Sequence, residues 1–322
     1  MRPGLAWSWE SAGLGAAFAL PAAAVAANDP RLGVAVAVGV LPAAIVGLPP
    51  RRRGRLVLIL VGALTGLPMV VGGVLASVPV LAVAAIWGLA VGAAALAARS
   101  LAGQVAMVLS LPMIGVGLSY SDVGTAAGLA ALMVLGSLYA CLVSMLWPER
   151  SGPRERRPLA TAPTIAYGVR LGAAGASAAA IGFLFDFEHV GWACAAALLV
   201  MRPAAEMQRL RSSGRIAAVA FGGLAAVALV RLQPAEAWYA IAVLATIAAA
   251  AGTRESRWYV TPAFTTFLVF VLLLYSNPDQ AGWRLGERLG ETVLGVALAY
   301  LFGLGLPALA ARRAQRKTLT AR

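Results

Sequence analysis

The sequence predicts an all-α polytopic membrane protein: about twelve transmembrane helices as two parallel six-helix repeats, N-in and C-in. Three observations predict it. Of 322 residues, 61% are hydrophobic and only 12% are charged, with a mean hydropathy of +0.82; a soluble domain carries about 25% charged residues. Apolar runs of roughly spanning length recur from one end of the chain to the other. The arginines fall between those runs with a strong bias to one side. A soluble globular enzyme is all but excluded by composition, and no catalytic constellation argues for one.

A spanning helix needs about 20 apolar residues, because the hydrocarbon layer is about 30 Å thick and each residue rises about 1.5 Å. Runs that approach this length lie near 11–28, 32–48, 56–76, 79–98, 102–119 and 124–147. A polar, basic segment follows at 148–162, and six more runs lie near 163–185, 190–203, 215–232, 237–253, 258–276 and 284–310. The expected organisation is therefore a first repeat over 1–147, a basic cytoplasmic linker over 148–162, a second repeat over 163–311 and a basic tail over 312–322. The Ala/Leu/Val/Gly mixture lacks the two-residue alternation of a membrane β-barrel. The first run, with Arg2 before it and AVAA before Asn28, also has the form of a cleaved leader. A retained helix is the preferred reading, because Glu10 to Asn28 has an internal counterpart in Arg170 to Glu188.

The formal net charge is +13. With the N-terminus inside, 21 of the 26 basic residues fall on the inner side, including Arg51, Arg52, Arg53, Arg55, Arg202, Arg209, Arg211 and Arg215. Asp29, Asp122, Asp186, Glu188, Glu236 and Asp279 fall outside. Positive-inside orientation thus accounts for the charge and removes the need for nucleic acid as a partner. Cys141 and Cys194 both sit in apolar runs and read as small buried hydrophobes. One histidine cannot build a His-rich metal cluster.

The halves align at an offset of 160. RLVLILVG from Arg55 to Gly62 matches RIAAVAFG from Arg215 to Gly222. An even number of spans per repeat makes the copies parallel, and such halves commonly enclose a site. The second run of each half is short or broken, by Pro42 in one and by Arg202-Pro203 in the other. Paired short segments point to a substrate site, while tilt and bilayer thinning are the inert explanation.

The last helix carries the most chemistry. Arg284, Arg288, Glu291 and Gly295 recur at i, i+4, i+7 and i+11 and share one face. Ionisable groups at membrane depth cost about 2.5–3.5 kcal/mol each on insertion scales, so this face is expected to look into the bundle. Arg288 would attract an anionic substrate and Glu291 would bind a proton; the competing reading is a self-satisfied ion pair at the outer interface. Arg284 and Glu287 lie nearer the headgroups. Arg170 reads as a snorkelling residue, with pathway lining as the alternative. His189 is a candidate pH sensor or a solvated loop histidine, and Trp192 an interfacial anchor. Thr261-Pro262, with Thr265 and Thr266, marks an expected kink. Gly62/Gly66, Gly88/Gly92, Gly124/Gly128, Gly168/Gly172 and Gly286/Gly290 are small-residue pairs expected to pack helices closely. Walker and Rossmann patterns are absent, as are paired metal ligands, and no cofactor is expected.

Four blocks in order make the second half resemble the fusaric acid resistance family of aromatic acid exporters. His189-Val-Gly-Trp192-Ala is similar to its outer-loop H-P-Y-W-A. Met201-Arg202-Pro203, then Arg209 to Arg215 and Gly222, is similar to Q-P followed by R-v-l-G-T-l-l-G, with Ala218-Val219 in place of Gly-Thr. Arg257 to Thr261-Pro262 is similar to N-Y followed by T-P. Arg288-Leu-Gly-Glu291-Thr-Val-Leu-Gly295 is similar to R-v-l-E/D-t-l-l-G. The blocks span about 163–310. Val190-Gly191 replaces Pro-Tyr, Arg202 replaces Gln, and Gly128 and Ala131 stand in the first half where Arg288 and Glu291 stand in the second. The resemblance implies a bacterial inner-membrane exporter of small organic or aromatic carboxylates, driven by protons. It leaves a passive anion channel and a non-transporting envelope scaffold as alternatives. The implied partners are a small organic anion, the proton, the bilayer, and a second copy or an accessory protein.

Overall fold

The computed structural model describes residues 4–149, 163–256 and 260–320. Most of the basic linker, together with Arg257, lies outside them. The described residues are helical, without strands, and form twelve rods. The first half comprises α1 (Trp9–Ala26), α2 (Pro30–Val46), α3 (Val57–Ala76), α4 (Pro79–Arg99), α5 (Leu101–Gly117) and α6 (Val123–Leu146). The second comprises α7 (Ile165–Leu184), α8 (Gly191–Val200), α9 (Ala205–Leu232), α10 (Glu236–Gly252), α11 (Val260–Leu274) and α12 (Ala281–Tyr300). A π turn, Leu301–Gly305, joins α12 to α13 (Leu306–Thr320) without a break. Six rods are long and apolar enough to cross a membrane: Arg52–Ala76, Pro79–Arg99, Val123–Leu146, Ile165–Leu184, Ala205–Leu232 and Pro278–Arg313.

Local chemistry sets the helix starts. The Asp29 carboxylate accepts from the Leu32 N–H at 3.0 Å, and Ser100 accepts from Gly103 at 3.0 Å. Thr164 accepts from Tyr167 at 3.1 Å. Each satisfies an orphan donor of the first turn. Pro30 and Pro79 stand in first turns, where a missing N–H costs nothing.

The chain divides into two compact units: Met1–Val70, Gly124–Arg157 and Gly214–Leu289 form one, and Val71–Val123, Pro158–Ser213 and Gly290–Arg322 the other. In the first, α1 packs on α10, with Gly15 against Ile247 and Ala251. Tyr139 of α6 donates to the Ala17 carbonyl at 3.0 Å, and α2 packs on α11. In the second unit, α4 packs on α7 and α5 on α8. At an offset of 160, α1·α10 corresponds to α7·α4, and α2·α11 to α8·α5. Each unit thus joins the first two helices of one sequence half to the fourth and fifth of the other.

Two of the glycine pairs do close helix contacts. A Cβ on Gly62 would sit 2.6 Å from the Ser137 Cβ, and one on Gly66 would sit 2.8 Å from the Ala130 carbonyl, so α3 lies directly on α6. Gly168 and Gly172 bring α7 against Ala94 and Trp87 of α4. The expectation fails for Gly88, Gly92, Gly128, Gly286 and Gly290, where a Cβ would meet nothing within 4 Å. There the four-residue spacing falls on an outward face.

One other expectation changes, and two further segments take their places. The ninth helix starts at Ala205, not near 215: the Arg- and Ser-rich stretch is helical because Gln208, Ser212 and Arg215 form one buried stripe. The basic tail continues as α13 to Thr320. Pro262 lies in the first described turn of α11, and Thr265 donates to the Thr261 carbonyl at 3.4 Å.

Candidate functional site

The buried positions of α12 are Ala281, Leu285, Arg288, Glu291, Thr292, Gly295, Val296 and Ala299. They recur with the helical period and form one stripe. Its ends are apolar and its middle is ionic. Arg288 is 7% exposed, Glu291 4% and Thr292 0%. Arg288 and Glu291 are one helical turn apart, within side-chain reach of each other. The opposite face, with Gly286, Gly290 and Val293, is exposed. Arg284 is half-buried and donates to Gln280 at 3.2 Å; Glu287 is half-buried as well.

The second unit shows what lies beside the inner part of this stripe. Gly295 is seated on Ala193, Ala196 and Ala197 of α8. Glu291 is one turn earlier on the same face and therefore lies on the α8 side of its helix. At ten residues α8 is about 15 Å long, half the hydrocarbon thickness. It is buried almost throughout. Gly115 of α5 contacts Ala195, Gly175 of α7 contacts Leu198, and the Gly191 N–H donates to Ser119 at 3.1 Å. Non-helical backbone at the ends of so short a helix is tolerated at membrane depth only when protein or a watery cavity covers it; His189 and Met201, at its two ends, are buried.

His189 and Trp192 depart from the sequence expectation. They are only 8% and 4% exposed, and their rings stack with centroids 3.9 Å apart and planes 16° apart. His189 is therefore not a solvated loop residue, and Trp192 is packed inside the protein. One turn at the start of α8 places the imidazole on the indole face, and burial follows from the helices around it.

Arg170 is half-buried, one turn into α7, and bonds back to the Ala166 carbonyl at 3.2 Å. Thr261 and Thr265 are half-buried on α11, whereas Thr266 is buried against Gly222 of α9.

Sequence reading missed a second polar cluster in the same unit. Tyr167 of α7 donates to the Met201 carbonyl at 3.1 Å, and Arg202 donates to the same carbonyl at 2.6 Å. Arg202 also reaches Leu198 at 3.3 Å. Gln208 donates to Ala299 at 2.7 Å and packs against Gly303 in the π turn. The only sequence signal was polarity at helical spacing in a stretch that otherwise reads as a loop.

Residues 177–302, from within α7 to the π turn, match the family described as fusaric acid resistance protein-like. The matched span contains His189, Trp192, Arg202, Arg215, Arg288 and Glu291. No curated protein and no solved structure matches the chain.

Proposed function

We propose that this multi-pass, transporter-like membrane protein, whose segment 177–302 matches the fusaric acid resistance protein-like family, exports small organic or aromatic carboxylates across the bacterial inner membrane, in exchange for protons. The supporting observation is the buried ionic stretch of α12. A guanidinium and a carboxylate have been taken out of water inside an otherwise apolar bundle. Such placement is costly in a membrane and marks a substrate or proton route by default. Arg288 offers a planar fork complementary to a carboxylate. Glu291, one turn further along, is the proton carrier.

The proposed architecture is twelve crossings in two parallel repeats, with both termini inside. The exchange of fourth and fifth helices between sequence halves supports it, because each unit obeys the same pairing rule. The short α8 completes its crossing with the buried backbone at either end.

The test is flux. Purified protein in liposomes, loaded with benzoate, should release it faster when a pH gradient is imposed across the bilayer. Arg288→Ala should reduce that flux by at least ten-fold, with protein of unchanged fold. Anion current that needs no pH gradient would make the protein a channel. Absence of both flux and current would leave a scaffold.

A further inference from the structure

We propose that the arginine-rich end of the second unit binds an oxyanion, a carboxylate or a phosphate, with Arg202 as its principal ligand and Arg211 and Tyr167 beside it.

Three segments converge on the last carbonyls of α8. Tyr167 comes from α7, Arg202 from the link after α8, and Arg211 from α9. Arg202 Nη1 holds the Met201 and Leu198 carbonyls, Arg211 Nη1 reaches the Leu199 carbonyl at 3.5 Å, and Tyr167 holds Met201. Arg170, Arg202 and Arg211 all lie within electrostatic reach of the Tyr167 hydroxyl. Capping a helix C-terminus with cations is favourable and accounts for the Nη1 atoms.

Capping leaves two features unexplained. Arg202 Nη2 is buried and has no hydrogen-bond partner. A guanidinium has five N–H donors in a fixed fork, and leaving part of that fork buried and unanswered is expensive. Arg202 and Arg211 also act on each other as like charges. Placing a second cation beside an already capped carbonyl raises the cost of the site.

An oxyanion removes both costs. It accepts from the free edge of the Arg202 fork, and its charge screens the two guanidiniums from each other. Arg202 is only partly covered by the rest of the protein, so a rotamer change presents that edge to the aqueous end of the bundle. The chemistry fits two sources, a free anion from water or the headgroup phosphate of an anionic lipid. Basic pockets at the ends of membrane helices take such headgroups. The inference does not depend on the export reading.

The test uses the full chain, delipidated in a neutral detergent. Unfolding temperature is followed against inorganic phosphate and against benzoate, and native mass spectrometry counts retained phosphatidylglycerol, with phosphatidylcholine as the control. Saturable stabilisation by phosphate or benzoate assigns a free anion. Selective retention of phosphatidylglycerol without that stabilisation assigns the lipid headgroup. In either case Arg202→Gln and Arg211→Gln should weaken binding at least ten-fold, and Arg209→Gln, an exposed neighbour with the same charge change, should not. If Arg202→Gln does not fold, Arg202→Lys takes its place: it keeps the charge but loses the fork, and the same weakening is expected. The proposal is overturned if none of the probes binds saturably, or if binding keeps its wild-type strength in the folded Arg202 variant and in Arg211→Gln.

Discussion

The two sequence halves share a landmark, an arginine seven residues before a glycine, just before α3 in the first half and within α9 in the second, and the two arginines settle into different surroundings. In the first half, Arg55 is fully buried and donates to the carbonyls of Pro49, Ser144, Trp147 and Pro148. It thereby ties the start of α3 to the end of α6. Gly62 and Gly66 then close α3 onto α6 along its length. In the second half, Arg215 is 6% exposed and its Nε has no partner, while Gly222 seats α9 on Ala263 and Thr266 of α11 instead. The Arg55 guanidinium thus holds two helices together, whereas among the described residues the Arg215 Nε is buried without a hydrogen bond. The same contrast recurs at Gly128 and Ala131, where the second half has Arg288 and Glu291. The first-half arginine is tied to backbone carbonyls, while the segment with the family match holds the buried Arg288 and Glu291.

The largest effect should come from the anchored arginine. Arg55→Leu strands several buried carbonyls and should cost about 3–5 kcal/mol, the range seen when one partner of a buried charged contact is removed. Arg215→Leu should stay within about 1 kcal/mol, because replacing a poorly satisfied buried charge by an apolar side chain is near neutral. Thermal unfolding of the two variants in one detergent makes the comparison, and equal losses would erase the distinction. A smaller effect is expected from the glycines. Gly62→Val drives a side chain into Ser137 and should cost about 1–3 kcal/mol by overpacking. The smallest has the opposite sign: Gly290→Ala meets open space on a helix and should leave stability unchanged or raise it by up to about 1 kcal/mol. A loss at Gly290 comparable to that at Gly62 would mean that the outward face of α12 is packed in the purified protein, by a second copy or by lipid.

Periodicity and charge carried most of the fold. Helices as short as α8 and as long as α6 lie within a few residues of the apolar runs, because a lipid-facing or buried helix has to be apolar for nearly its full length. The ionic face of α12 was legible for a related reason. Charges at i, i+4 and i+7 in an apolar setting have only one side on which to hide. What stayed hidden depended on neighbours. The start of α9 resembles a loop until Gln208, Ser212 and Arg215 are seen to be buried together. A four-residue glycine spacing does not say whether another helix lies opposite, so Gly62/Gly66 and Gly286/Gly290 look alike in sequence and differ in the fold. His189 reads as a loop residue because its cover comes from helices far away in the chain.

The sharpest test of the buried ionic stretch concerns Glu291. In liposomes loaded with benzoate, the wild-type protein should respond to an imposed pH gradient with accelerated release. Glu291→Gln, which keeps the shape and removes the titrating group, should release benzoate at a rate indifferent to the gradient. Full gradient-driven release by Glu291→Gln would contradict the account, because the carboxylate buried on α12 would then have no part in moving the proton.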